Sequence, residues 1–381
     1  MKKNLLLALS YVVVAMLATV LTLATAPEYM LRPDKLSQLE ALIEEKYIDE
    51  ADVTAMEDAA AAAMVKATGD KWSYYIPADE YEAYRERMAN AYVGVGITIQ
   101  AAEEGGFLIV GVTPGGPAEE AGLQVEDVIV AVEGQDVRAF TTTEVRDVVK
   151  GKEGTFVSMT VLRQGEEVTL SVERRKVQTP VASGEMLTET VGLVTIENFD
   201  SRCAEETIAH IEALLEAGAE KLIFDVRNNP GGYASELVKV LDYLLPEGEL
   251  FRTLRYDGKE NVDYSDEKHL DVPMAVLVNA DSYSAAEFFA AALAEYDVAI
   301  VVGEQTTGKG NFQQTYQLSD GSAVALSVGK YFTPKGVSLA DTGVTPDILL
   351  PMDAEMALQL YYDRLDPMED IQIQAALEAL K

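Results

Sequence analysis

Two short apolar runs, Ala275-Val276-Leu277-Val278 and Val298 to Val302, enclose a stretch of helix-forming residues from Ala285 to Glu295. Each run has the length and β-branching of a buried strand. Further strand-like runs fall at Val191 to Ile196, Leu222 to Val226 and Ala323 to Val328, with helical stretches at 204–217 and 233–245. This alternation predicts a mainly parallel sheet with helices on its faces. Between the first run and its helix lies a polar corner, Asn279-Ala280-Asp281-Ser282-Tyr283-Ser284. A serine at a strand-to-helix corner stands exposed, with the first N–H groups of the helix free beside it. That is a place for a nucleophile and for the oxyanion it creates. A second turn, Asp225-Val226-Arg227-Asn228-Asn229-Pro230-Gly231-Gly232, falls at the carboxyl end of another buried strand. Ligand sites in α/β sheets gather at such ends, and glycine lets the backbone approach a substrate. Pro and Gly pairs also mark ordinary turns.

With 381 residues the chain is too long for one ordinary core, so two or three domains are expected. The formal net charge of −34 argues against nucleic acid and anionic lipid as partners. The single cysteine, Cys203, forbids a disulfide within the chain and reads as a buried or bystander thiol. Lys2 and Lys3 precede an apolar run from Leu5 to Leu23. Its length is near the ~20 residues that span a bilayer. Residues 1–26 are therefore expected to be an uncleaved signal anchor, with a cleaved signal peptide as the alternative. The positive charges would stay inside and the remainder would lie outside the cytoplasm.

Residues 34–90 read as helices, with Asp34 as a cap and Leu36, Leu39, Ile43 and Tyr47 on one face. Ala51 to Lys66 forms a second helix, followed by an aromatic cluster of Trp72, Tyr74, Tyr75, Tyr81 and Tyr84. Residues 91–175 change to β-branched runs at Val93 to Ile99, Phe107 to Val112, Val128 to Val132, Val157 to Leu162 and Val168 to Val172, with a helix at Thr142 to Val149. The opening Tyr92-Val93-Gly94-Val95-Gly96-Ile97 is a glycine turn leading into a strand. Successive N–H groups there can hold a carboxylate, and the strand can accept a peptide by edge pairing. Residues 351–381 end in two short amphipathic helices, around 355–364 and 368–380, suited to tethering to the core or to a partner copy.

A nucleophilic Ser284 needs a base. The chain has only two histidines: His210 in the amphipathic helix and His269 in a polar loop. Both read as surface residues. Lysine can replace histidine when burial lowers its pKa. Lys309 lies in Thr306-Thr307-Gly308-Lys309-Gly310, directly after a buried strand, and Gln313 is four residues on. That spacing puts both on one side of a strand or helix. Taken alone, the Gly-Lys-Gly loop is equally a phosphate-binding or surface loop, though it lacks the Walker pattern.

The segment Pro117-Ala118-Glu119-Glu120-Ala121-Gly122-Leu123, with Glu126-Asp127-Val128-Ile129 and Val132-Glu133-Gly134, resembles bacterial PDZ domains, with Glu126 where glycine is usual. The runs Ser282-Tyr283-Ser284-Ala285-Ala286-Glu287 and Gly303 to Gln313 resemble the C-terminal processing (tail-specific) serine peptidases. So do Leu318-Ser319-Asp320-Gly321-Ser322, Tyr331-Phe332-Thr333-Pro334 and Gly343-Val344-Thr345-Pro346-Asp347. The resemblance implies Ser284 as nucleophile, Lys309 as base and Gln313 as its orienting partner. The 25-residue separation of serine and lysine agrees with the family. It further implies Gly232 and Ala285 as oxyanion donors, Tyr92 to Ile97 as the peptide-binding turn, and no metal or organic cofactor. Tyr283 departs from the family's small residue, and Ala286 from a frequent serine.

The expected fold is an α/β peptidase core, a ClpP/crotonase-like sheet with helices, plus a small β-rich PDZ domain and helical N- and C-terminal segments. The expected divisions are the N-terminal signal at 1–26, helices at 34–90, PDZ at 91–175, peptidase at 176–350 and a C-terminal segment at 351–381. The expected partners are substrate C-termini, a regulatory adaptor and a second copy of the chain. Two rival readings are a PDZ scaffold with a decayed peptidase domain and a crotonase-like acyl-thioester enzyme.

Overall fold

The computed structural model describes residues 14–16, 19, 34–102, 104–362 and 364–381. The anchor expected at 1–26 lies almost wholly outside them. No helix among the described residues is long and apolar enough to cross a membrane. The chain divides into two compact units, residues 1–71 and 72–381.

Among its described residues the first unit includes the helices Lys35–Lys46 and Val53–Lys66. Each starts on an aspartate that satisfies otherwise unpaired N–H groups. Asp34 accepts from Leu36 N at 2.8 Å and Ser37 N at 3.0 Å, and Asp52 from Ala55 N at 3.0 Å.

The second unit is built on a six-stranded sheet. Its order is Ala182–Met186, Val191–Ile196, Lys221–Asp225, Met274–Val278, Ala299–Gly303, Ile348–Leu349. The first pair is antiparallel and the rest are parallel. All five residues of Met274–Val278 are buried, as a central strand covered on both faces requires. Alternation divides them. Met274, Val276 and Val278 join Phe224 and Leu222 in the core under helices Cys203–Glu216, Ala234–Leu244 and Ala285–Glu295. Ala275 and Leu277 face the other way and pack with Ile223, Val302, residues Ile373 and Ala376 of the C-terminal helix Ile371–Ala379, and Leu380, which caps that helix.

That last helix is also pinned electrostatically. Arg227 is buried, and its Nη1 donates to Asp370 Oδ2 at 2.7 Å and to Gln372 Oε1 at 3.0 Å. Its Nε donates to Asp225 Oδ1 at 2.9 Å.

A second, antiparallel sheet runs in the order Tyr74–Ile76, Ala323–Phe332, Gly248–Arg255, Glu260–Ser265, and Asn311–Gln317 also pairs with Ala323–Phe332. The strands at 248–255, 260–265 and 311–317 are not signalled by apolar runs. Glu260–Ser265 buries only Ser265, and Asn311–Gln317 buries no residue fully.

The sheet of the β-rich module expected to be a PDZ domain runs Ile97–Ala101, Phe107–Val112, Val128–Val132, Phe156–Arg163, Glu166–Glu173, with helix Thr142–Val149 beside it. The run read as one strand from Val93 to Ile99 is broken by Gly96, whose φ is +80°. Its first part, Ala91–Gly94, pairs instead with Arg175–Gln178. Glu126 takes φ +75°, which explains why glycine is favoured at its position.

Replacing Asp370 with alanine leaves the buried guanidinium short of one carboxylate. The expected loss of stability is ~3 kcal/mol in urea unfolding. A loss below ~1 kcal/mol would show that Asp225 alone suffices.

Candidate active site

Ser284 sits at the first position before the helix Ala285–Glu295, with φ 60° and ψ −124°. A residue with a side chain adopts this region only where its surroundings hold it there. Three contacts do so. Glu287 Oε2 accepts the Ser284 N–H at 2.9 Å. The N–H of Tyr283 donates to Asn229 C=O at 3.1 Å. Gly231 closes the third side: a Cβ there would lie 2.6 Å from Ser284 Cβ and 2.9 Å from Ala285 N. Only glycine allows that approach.

Glu287 is fully buried and joins two segments. The oxygen that holds Ser284 N–H also accepts Lys309 N–H at 2.9 Å. Its other oxygen accepts Thr306 Oγ1 at 2.6 Å and Gly308 N–H at 2.7 Å. The backbone nitrogens of Ser284 and Lys309 are therefore no further apart than twice one hydrogen-bond length. The corner and the lysine loop meet at one carboxylate.

Ser284 Oγ, Lys309 Nζ and the Gln313 amide each have defined neighbours. Ser284 Oγ lies 3.0 Å from the Tyr331 hydroxyl. Lys309 Nζ lies 4.9 Å from the centre of the Trp72 ring and 5.8 Å from that of Tyr283. Aromatic faces in this geometry stabilise an ammonium. Gln313 Nε2 donates to Ser327 Oγ at 2.9 Å and Asn311 C=O at 3.2 Å. The structure thus brings Ser284 and Lys309 together through their backbones, and pairs Oγ and the Gln313 amide with other residues.

Gly232 forms a parallel bridge with Phe199, in which Phe199 N–H donates to Gly231 C=O and Tyr233 N–H to Phe199 C=O, both at 2.8 Å. The N–H of Gly232 itself takes no part in the bridge. Ala285 is the first residue of the serine helix, where N–H groups lack intrahelical acceptors. Gly231 places the two segments side by side.

Of the PDZ turn, Tyr92, Val93 and Gly94 are committed to pairing with Val177, Lys176 and Arg175. The turn proper is Val95 and Gly96. Ile97 opens the edge strand of the PDZ sheet. His210 packs over Gly184, and His269 lies exposed with its Nδ1 3.4 Å from Glu267 C=O. Cys203 is buried, and burial pushes its thiol up to about 12.

Residues 190–350 match the model of peptidase family S41, and residues 108–163 match that of a PDZ domain. Over 318 residues the chain is 30% identical to the carboxy-terminal processing protease CtpA of Bacillus subtilis (strain 168), covering 83% of this chain and 68% of that protein. The chain belongs to peptidase family S41.

This S41 chain is also 31% identical over 323 residues to a probable CtpA-like serine protease of Staphylococcus aureus (strain COL), covering 83% of its own length and 64% of that protein. It thus spans about two thirds of the length of these curated relatives. It shares its fold with a putative S41 protease from Bacteroides fragilis NCTC 9343, at a TM-score of 0.52 and 17% identity, covering 91% and 97% of the two chains. Family membership places it among serine-type endopeptidases of the C-terminal processing kind with an embedded PDZ domain.

Four residues of the S41 site were not given roles from the sequence: Glu287, Tyr331, Gly231 and Trp72. Glu287 carried a signal, since an acid three residues after a helix-capping serine matches a capping box. Tyr331 lies in the quoted run Tyr331-Phe332-Thr333-Pro334 and Trp72 in the aromatic cluster, but neither run carries a local pattern that joins it to Ser284 or Lys309.

Asp200 lies beside the same loop: a Cβ on Gly232 would sit 2.6 Å from Asp200 N. It is buried, and its Oδ1 has no hydrogen-bond partner. Burial pushes its carboxyl up to about 7, with the Arg87 charge acting in the opposite direction. The folded chain therefore holds this proton more tightly than the unfolded chain does. The resulting stabilisation is complete below about pH 4 and is lost as pH rises through about 7. Asp200→Asn has no such proton. Relative to that variant, the native chain should lose on the order of 3 kcal/mol between pH 4 and pH 8 in urea unfolding. A flat difference would show an ordinary carboxylate.

Proposed function

We propose that this chain is an extracytoplasmic serine endopeptidase of the C-terminal processing type with a Ser284/Lys309 dyad. The observation that carries the reading is the single Glu287 oxygen shared by the Ser284 and Lys309 N–H groups. A nucleophile corner and a lysine loop tied to one buried atom have a common frame for proton transfer.

In this reading Lys309 turns from the rings of Trp72 and Tyr283 towards Oγ as a peptide settles. Catalytic hydrogen bonds are commonly loose in an unliganded site and tighten with substrate. The serine proton passes to the neutral amine, and the Oγ–carbon bond forms. Gln313, on the strand after the lysine loop, orients that amine. The N–H groups of Gly232 and Ala285 receive the oxyanion. Lys309 then returns the proton to the leaving amine, the C–N bond breaks, and water releases the acyl group from Ser284. The six-stranded sheet with its helix-mounted serine fits a ClpP/crotonase-like core.

The PDZ domain supplies the recognition step in the same reading. Its edge strand Ile97–Ala101 takes an extended C-terminus of a substrate or adaptor, the Val95-Gly96 turn receives the carboxylate, and the bound segment governs access to the site. The N-terminal lysines and apolar run of the sequence support an enzyme that works outside the cytoplasm, held by an anchor or secreted after cleavage. The helices within 34–90, a range that also holds the strand Tyr74–Ile76, and the helical segment 351–381 serve tethering or pairing with a second copy in this reading.

Ser284→Ala and Lys309→Ala should each reduce cleavage of an unfolded protein substrate by at least a thousandfold, measured by appearance of new amino termini. Near-normal activity of Lys309→Ala would remove lysine from the role of base. Amidating the C-terminus of a peptide substrate should weaken its binding and slow its cleavage at least tenfold. Equal rates for the amide and the acid would remove carboxylate capture.

A further inference from the structure

Tyr331 lies on the strand Ala323–Phe332 and is 4% exposed. Its ring is fixed on three sides. Phe288 of the serine helix meets it edge-on at 4.4 Å between centroids, Phe251 lies at 5.6 Å and Phe312 stacks at 6.2 Å. A buried ring so enclosed has one position for its hydroxyl, and that position is 3.0 Å from Ser284 Oγ. The backbone of the same residue reaches the other half of the site. Tyr331 N–H donates to the C=O of Gly310, the residue after Lys309, at 3.2 Å. One residue therefore touches the attacking oxygen and the loop that carries the base.

We propose that Tyr331 is a positioning residue for the attack, holding Ser284 Oγ in line and donating its hydroxyl hydrogen to that oxygen as Lys309 removes the serine proton. The proposal rests on the Ser/Lys reading above. Before attack the hydroxyl pair can share either proton. Once the serine proton has moved to Lys309 Nζ, Oγ is left as an acceptor, and the phenol is the donor already in place. Tyr331 keeps its own O–H bond throughout; only the serine proton changes hands. Burial raises the phenol above its ordinary range, although the contact with Ser284 opposes this. The phenol thus stays protonated at the pH values where a peptidase works, which suits a donor and unsuits it as a base. A fixed donor aimed at developing charge needs no reorganisation during the reaction.

The test compares native enzyme, Tyr331→Phe and Ser284→Ala in the full chain, with an unfolded casein as substrate. Tyr331→Phe keeps the ring and its three aromatic contacts and removes one oxygen. The expected result is a fall in kcat of tenfold or more with KM within twofold of native. An unchanged kcat overturns the proposal. So does a raised kcat, which would make the contact a latch on the serine. Loss of ring packing alone would not give a fall confined to kcat. The Ser284→Ala arm separates the two readings. Native activity there defeats the Ser/Lys assignment itself, whereas an inactive Ser284→Ala beside a fully active Tyr331→Phe defeats only the role of Tyr331. A stability cycle tests the contact without catalysis. The double variant should melt close to each single variant, because either change alone breaks the same hydrogen bond. Additive losses would show that the two hydroxyls do not interact.

Discussion

The geometry of the site depends on one buried carboxylate. Glu287 has no exposed surface, so its desolvation must be offset by hydrogen bonds. An ionised carboxylate offers about four acceptor directions, and four donors meet it: Ser284 N–H, Lys309 N–H, Gly308 N–H and Thr306 Oγ1. None of these donors is a charged side chain. The carboxylate is instead held by backbone and hydroxyl dipoles, which ties its energy to the positions of two chain segments. If the lysine loop moves away, Glu287 loses three donors; if the serine corner relaxes, it loses the fourth. Thr306 extends this lock, because its Oγ1 also accepts Val344 N–H at 2.7 Å.

The strained serine follows from the same lock. A residue held at such a backbone conformation costs on the order of 1–3 kcal/mol. The Glu287 contact, the Tyr283–Asn229 bond and the close approach of Gly231 hold it from three directions. The helix behind it has little freedom, since every residue from Ala285 to Leu293 is buried. Strain is thereby concentrated at the corner, where the oxygen must project out of the helix. The same corner explains Tyr283, whose bulk beside a nucleophile has no local rationale. Its ring lies 5.8 Å from that of Trp72, and both rings face the Lys309 amine.

This division shows what the sequence could and could not convey. The strand Met274–Val278, the helix after it and the serine between them are legible because buried strands and helices carry their own periodicity. The shortage of histidines pointed to Lys309, since neither imidazole lies in a stretch that could serve the serine. The contacts of the side chains were not legible. Ser284 Oγ pairs with Tyr331, and Gln313 with Ser327, across strands whose registers no local pattern encodes. The strand carrying Gln313 is Asn-Phe-Gln-Gln-Thr-Tyr-Gln, too polar to signal a strand, and it bulges between Phe312 and Gln313. A bulge changes the side to which the following side chains point. A four-residue spacing across it therefore does not guarantee a shared side.

The PDZ domain is joined to the peptidase core through the two-stranded ribbon of Ala91–Gly94 and Arg175–Gln178. The foot of that ribbon is hydrogen-bonded to the segment beside the proposed oxyanion donors. Asn90 and Asn198 exchange side-chain bonds at 2.9 and 3.0 Å, and Arg202 donates to Asn90 C=O at 3.2 Å. Asn198 also accepts Asp200 N–H at 2.9 Å, and the neighbouring Phe199 bridges Gly232. Gly232 has no slack in this arrangement, because even a Cβ would lie 2.3 Å from the Phe199 carbonyl carbon. A displacement of the ribbon must therefore break the paired asparagines or carry residues 198–202 with it, and any movement of Phe199 bears directly on the loop that faces Ser284.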